Sequence, residues 1–177
     1  MQNTSERDPM AGRLWRIIYW SGTAILLCIP ALAMQFTSEV DWTTSDFVFA
    51  AIIFGLVGGA LEWTVRASTN WTYRAAMAVT ILMSFLTTWS NMAVGIIGNE
   101  DNPLNLLFFA GLAALVLGGA AFRFRARAMS VLTALQAGLH LALGVYVGST
   151  LMWYFLGTFA LMWLVAAVLF LRCSQEC

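Results

Sequence analysis

The stretch WSNMAVGIIGNEDNPLN, residues 89–105, decides the fold. It ends one apolar run, turns through a short acidic connection and begins the next run. It sets Asn91 inside an apolar segment and gathers Glu100, Asp101, Asn102 and Asn105 at the mouth of the turn. On either side, apolar runs of about 20 residues recur, each long enough to cross a hydrocarbon core of about 30 Å. The chain of 177 residues is 60% hydrophobic and 10% charged, whereas a soluble domain carries about 25% charged residues. So few charges cannot clothe a soluble surface. The expected fold class is an all-α membrane protein, a six-span transmembrane helical bundle.

Six spans are predicted, at about 14–34, 47–65, 75–97, 104–122, 128–147 and 150–171, within a transmembrane domain covering 13–172. Polar tails are expected at 1–12 and 173–177. The first run, with its basic start and Ala31-Leu32-Ala33, also fits a cleavable signal peptide. Trp15, Tyr19 and Trp20 suit an interfacial anchor and favour an uncleaved span. Before the second span, Thr43, Thr44, Ser45 and Asp46 are all helix-capping types. Glu62 and Arg66 are an i,i+4 pair on the second span, expected to neutralise one another at the membrane surface. A connection over 66–74 leads to the third span, which Gly98 and Asn99 are expected to end. Asp101 or Asn102 caps the fourth, with Pro103 at its first position. The sixth span, almost wholly apolar, is expected to face lipid over much of its surface.

Arginine sets the orientation. All nine basic residues are Arg. With six spans, all of them fall on one side: in the N-terminal segment, the 66–74 and 123–127 connections, and the C-terminal tail. The other side carries Glu39, Asp41, Asp46, Glu100 and Asp101. Both termini are therefore expected to be cytoplasmic. A net charge of zero argues against nucleic acid as a partner, since phosphate binding needs a basic face.

The polar residues of the third span fall at steps of three or four. Thr80, Ser84, Thr87, Thr88, Asn91, Gly95 and Gly98 make one stripe along an otherwise apolar helix. On the fifth span, Thr133, Gln136, His140 and Gly144 share a face. Asn91 and His140 fall at comparable depth and are expected to be able to meet in the bundle interior. Two readings follow. Ser84, Thr87, Thr88, Asn91, Gln136 and His140 line a polar pathway, since ionisable groups inside a membrane are functional candidates; or they hold helices together. Asp41, Asp46, Glu100, Asp101, Asn102 and Asn105 form a candidate acidic outer mouth whose oxygens suit hard cations, though capping and solvation of helix ends explain them too. The single His excludes a bis-histidine haem within one chain. Cys173 and Cys177, with no further Cys or His nearby, make a weak metal motif. No nucleotide, zinc-protease or serine-hydrolase motif occurs. No metal and no cofactor is expected, and no catalytic residue is assigned.

The stretch from Asn91 to Asn105, N-x-A-V-G-I-I-G-x-E-D-N-P-x-N, resembles that of a group of small bacterial membrane proteins with no assigned function. The lead-in Val40-Asp41-Trp42-Thr43, with Asp46-Phe47, resembles the same group. The resemblance implies a bacterial inner-membrane location and brings no ligand or activity with it. Two functions are expected from the residues. One is a non-enzymatic accessory or structural subunit, partnered by lipid and by a homo-oligomer or membrane complex. The other is a small permease or cation channel with a pathway along Asn91 and His140 beneath the acidic mouth.

Overall fold

The computed structural model describes residues 9–99 and 101–176. Residues 1–8 of the expected N-terminal tail, Glu100 of the acidic turn, and Cys177 lie outside the described residues. Six α-helices follow in order: α1 Pro9–Ala33, α2 Thr44–Ala67, α3 Trp71–Val94, α4 Leu106–Ala121, α5 Ala126–Val147 and α6 Thr150–Glu176. There is no strand among the described residues. All six helices are long and apolar enough to cross a membrane.

Several boundaries differ from the sequence-based ones. Residues 9–12 belong to α1 rather than to a tail, and α6 continues through Cys173 to Glu176. The 66–74 connection shrinks to 68–70, because the Asn70 side chain caps α3 by accepting from the Tyr73 amide at 3.1 Å. At its other end α3 stops at Val94, before the expected Gly98. Gly95 takes φ 67° and ψ 126°, a conformation open essentially to glycine alone. Asn102 caps a short 3-10 turn, Pro103–Asn105, that leads into α4. Proline suits that entry because its missing N–H is not needed there.

The chain divides into two compact units, residues 1–59 and 60–177, with the boundary inside α2. In the first unit, the Tyr19 hydroxyl of α1 donates to the Phe54 carbonyl of α2 at 2.7 Å. Gly58 makes room for that ring, since a Cβ there would lie 2.6 Å from Tyr19 Cε1. At the start of α2, Asp46 accepts from both the amide and the hydroxyl of Thr43, at 2.7 and 2.8 Å. That capping arrangement satisfies a donor the helix would otherwise orphan.

In the second unit, α6 packs on α3 and on α5, α4 packs on α5, and α3 meets α4 more sparsely. The four helices thus form a ring in the order α3, α6, α5, α4. Their buried residues repeat every seven positions. On α6 these are Leu156, Trp163 and Phe170, beside Ala160 and Ala167; on α5, Met129, Gln136 and Leu143, beside Thr133 and His140; on α3, Tyr73, Thr80 and Thr87. A seven-residue spacing keeps one seam facing its neighbours along the whole helix. Much of α6 is exposed, Leu151, Tyr154 and Leu161 among it, as expected, while its other face fills the core, with Leu156, Trp163 and Phe170 all at 0% exposure. Lipid and core are equally apolar, so hydrophobicity alone could not tell the two faces apart. On α4, Gly111 lies against Leu139 and Gln136, Gly118 against Leu132, and Gly119 against Phe124, so small residues set the approach of α4 to α5.

One end of this unit, the Phe124 end, is tied by side-chain contacts. The Tyr73 hydroxyl donates to the Phe124 carbonyl at 2.8 Å, and the Tyr73 ring meets Phe170 edge-on. Phe124 also packs on Trp63. Arg123 and Phe124 both take positive φ, 54° and 52°, a costly backbone for non-glycine residues that surrounding contacts must hold. Arg74 donates to the Ser68 and Val65 carbonyls at 2.7 and 2.8 Å, closing the end of α2.

Candidate functional site

Hydroxyls inside a membrane helix commonly satisfy themselves on their own backbone one turn earlier. Thr80 donates to Ala76 O, Ser84 to Thr80 O, and Thr133 to Met129 O. These members of the stripes therefore have their donors spent on their own helices rather than aimed at the ring interior. Ser84 and Thr88 are only half-buried.

A second group behaves differently. Among the described residues, five buried polar atoms lack any hydrogen-bond partner: Thr87 Oγ1, Asn91 Oδ1, Gln136 Oε1, His140 Nε2 and Trp163 Nε1. They come from α3, α5 and α6. Each side chain is 4% exposed or less. Asn91 donates its amide to Thr87 O at 3.0 Å, which leaves its own oxygen unmet. Gln136 donates across to Gly111 O of α4, which leaves Oε1 unmet. His140 Nδ1 lies 2.8 Å from Gln136 O. An unpartnered polar atom in an apolar interior costs roughly 1–3 kcal/mol, so each one calls for an explanation.

His140 is the centre of this group. Its ring lies 5.0 Å from Phe108 of α4, and 5.8 and 6.2 Å from Phe159 and Trp163 of α6, measured between centroids. It therefore reaches neighbours on both sides of α5, inside the four-helix ring. No hydrogen bond joins Asn91 to His140: Asn91 Oδ1 and His140 Nε2 each stand without a partner.

Gly95 and Gly98, at φ 67° and 74°, turn the chain back so that Ile96 and Ile97 are each 4% exposed. The two isoleucines pack with Phe108, Leu143 and Leu156 over the end of the ring. Asn105, expected to line the mouth, is instead a buried clamp. Its carboxamide accepts from Ile97 N at 2.9 Å and donates to Ile97 O and to Asn99 O, the latter at 2.7 Å. Asn102 caps Leu104 N at 3.0 Å. Asp41, Asp46 and Asp101 are exposed. No group of three or more His, Cys, Asp or Glu able to hold a metal occurs among the described residues. Glu62 and Arg66 form their ion pair at 2.7 Å, with Arg66 largely in the open.

Sequence reasoning missed Trp163 and the Ile96–Ile97 seal. Trp163 lay unmarked in an apolar helix. The paired glycines around Ile96–Ile97 were the available signal for the seal, since two positive-φ residues three apart reverse a chain. No known protein family, curated protein or solved structure matches the chain.

Proposed function

We propose that this is an inner-membrane protein of a bacterium, with both termini cytoplasmic, acting as a small permease whose solute contacts lie along the α3–α6–α5 interior. The one-sided Arg distribution supports the orientation. The observation that carries the function is the set of five unpartnered buried polar atoms on α3, α5 and α6. Groups serving only to hold helices would be expected to bond one another across helices. These instead leave their free atoms turned to no partner. The seal of Ile96 and Ile97 makes the path a gated one, closed at the Gly148 end. Among the described acids of the outer connections, Asp41, Asp46 and Asp101 are exposed and Asp46 caps α2.

A non-enzymatic accessory subunit, in a homo-oligomer or a larger membrane complex, is the second reading. The self-satisfied hydroxyls of Thr80, Ser84 and Thr133 favour it, because they suit close packing and not a wet passage. Purified protein in proteoliposomes separates the two. Asn91→Leu and His140→Leu should abolish solute flux while the protein still accumulates and assembles. Failure of both variants to accumulate would favour the accessory reading. Unchanged flux would remove the pathway.

A further inference from the structure

The charges of the second unit are one-sided. From Asn102 to Gln175 the sequence has no acidic residue, and its charged residues are Arg123, Arg125, Arg127 and Arg172. All four are exposed. None of the four guanidinium groups has a hydrogen-bond or ion-pair partner among the described residues. Glu62, the acid that α2 brings to this end, is held by Arg66. The fold sets three of the arginines on one turn. Phe124 faces inward: its ring packs on Trp63 and against Gly119, its amide donates to Gly119 O at 2.6 Å, and its carbonyl accepts from Tyr73. Arg123 and Arg125 stand exposed on either side of it. Arg127 follows in the first turn of α5, which has no acid, and Arg125 at its N-cap makes no side-chain cap.

Positive side chains have the unfavourable sign at a helix N-terminus, and three within five residues repel one another. Membrane topology calls for positive charge on this side, but not for three cations on one uncapped turn. An anion docked there offsets both costs. A guanidinium fork matches the oxygens of a phosphate. Beside Arg123, Phe122 is 59% exposed and offers an apolar surface to an acyl chain. We infer that Arg123, Arg125 and Arg127 form a binding site for the phosphate headgroup of an anionic phospholipid. The inference rests on the membrane reading of the six helices and is independent of the permease reading.

Full-length protein in a neutral detergent is titrated separately with phosphatidylglycerol, phosphatidylcholine and glycerol phosphate, and the bound molecules are counted by native mass spectrometry. One phosphatidylglycerol should bind tightly, gaining roughly fivefold in affinity from each Arg, while phosphatidylcholine and glycerol phosphate bind far more weakly. Arg125→Gln and Arg127→Gln should each remove about that factor. Arg172→Gln takes the same charge from α6 and should leave the affinity nearly unchanged. Equal affinity for the two lipids overturns the proposal on the native protein alone. Glycerol phosphate binding as tightly as phosphatidylglycerol makes the site one for soluble phosphates and overturns the lipid. An equal loss in Arg172→Gln and Arg125→Gln, both folded, also overturns it, because any cation at this end then serves.

Discussion

The Phe124 end and the middle of the four-helix unit use polar atoms in opposite ways. At the Phe124 end, Tyr73 reaches the Phe124 carbonyl and Arg74 reaches two carbonyls of the preceding segment. Each of these donors has a carbonyl, and the Tyr73 bond holds the positive-φ backbone at Phe124. In the middle, polar side chains are more deeply buried, yet Asn91, Gln136 and His140 each spend one atom on backbone and leave the other unmet. Burial is deeper there and satisfaction is poorer. Polar groups that stabilise a fold are found bonded; those kept despite their cost point to something other than the fold.

The contrast can be broken by mutation. The largest effect is expected from Phe170→Ala, which empties a fully buried position and strips Tyr73 of its ring partner. Removing a buried Phe costs about 3–5 kcal/mol, read as a loss of thermal stability in detergent. If the variant unfolds like the native protein, the Phe124 end does not anchor the unit. Next is Asn105→Ala, which deletes the clamp on Ile97 and leaves buried backbone groups without partners. A cost of about 2 kcal/mol is expected. It should appear locally, as faster hydrogen exchange at the Ile97 amide with α5 and α6 unaffected. Exchange that rises equally throughout would mean the seal is part of one cooperative core. Tyr73→Phe should cost about 0.6–1 kcal/mol, the loss of one hydrogen bond in a membrane protein.

How much of this was legible depended on polarity. In a lipid-facing chain, polar residues mark the interior, so the steps of three and four through Thr80, Thr87 and Asn91, and through Thr133, Gln136 and His140, revealed two buried seams. The same logic failed on α6, whose buried Leu156, Trp163 and Phe170 are no more apolar than its exposed Leu161 and Val168. Depth along the chain could be read only roughly, since it assumed all helices start level. The acidic turn was read as a mouth because its charges are visible in sequence. That Asn105 would fold inward onto Ile97 was not, because one asparagine reads alike as a surface residue, a cap or a clamp.

The smallest expected effect is the sharpest test of the contrast. Asn91→Leu and His140→Leu each replace a side chain that holds one bond within its own helix and one unpartnered atom. The helix ladder persists without the side-chain bond, and the cost of the unmet atom disappears. Exchanging such a group for an apolar one of similar size can be nearly neutral or stabilising, so stability should change by no more than about 0.5 kcal/mol and less than in Tyr73→Phe. Reversible unfolding of all three variants in one detergent makes the comparison direct. If Asn91→Leu or His140→Leu destabilises the protein more than Tyr73→Phe does, their polar atoms hold helices together after all. These groups are then structural, and the accessory reading gains what the permease reading loses. If the two variants are as stable as the native chain but inert in flux, the cost of keeping Asn91 and His140 polar serves the passage of a solute.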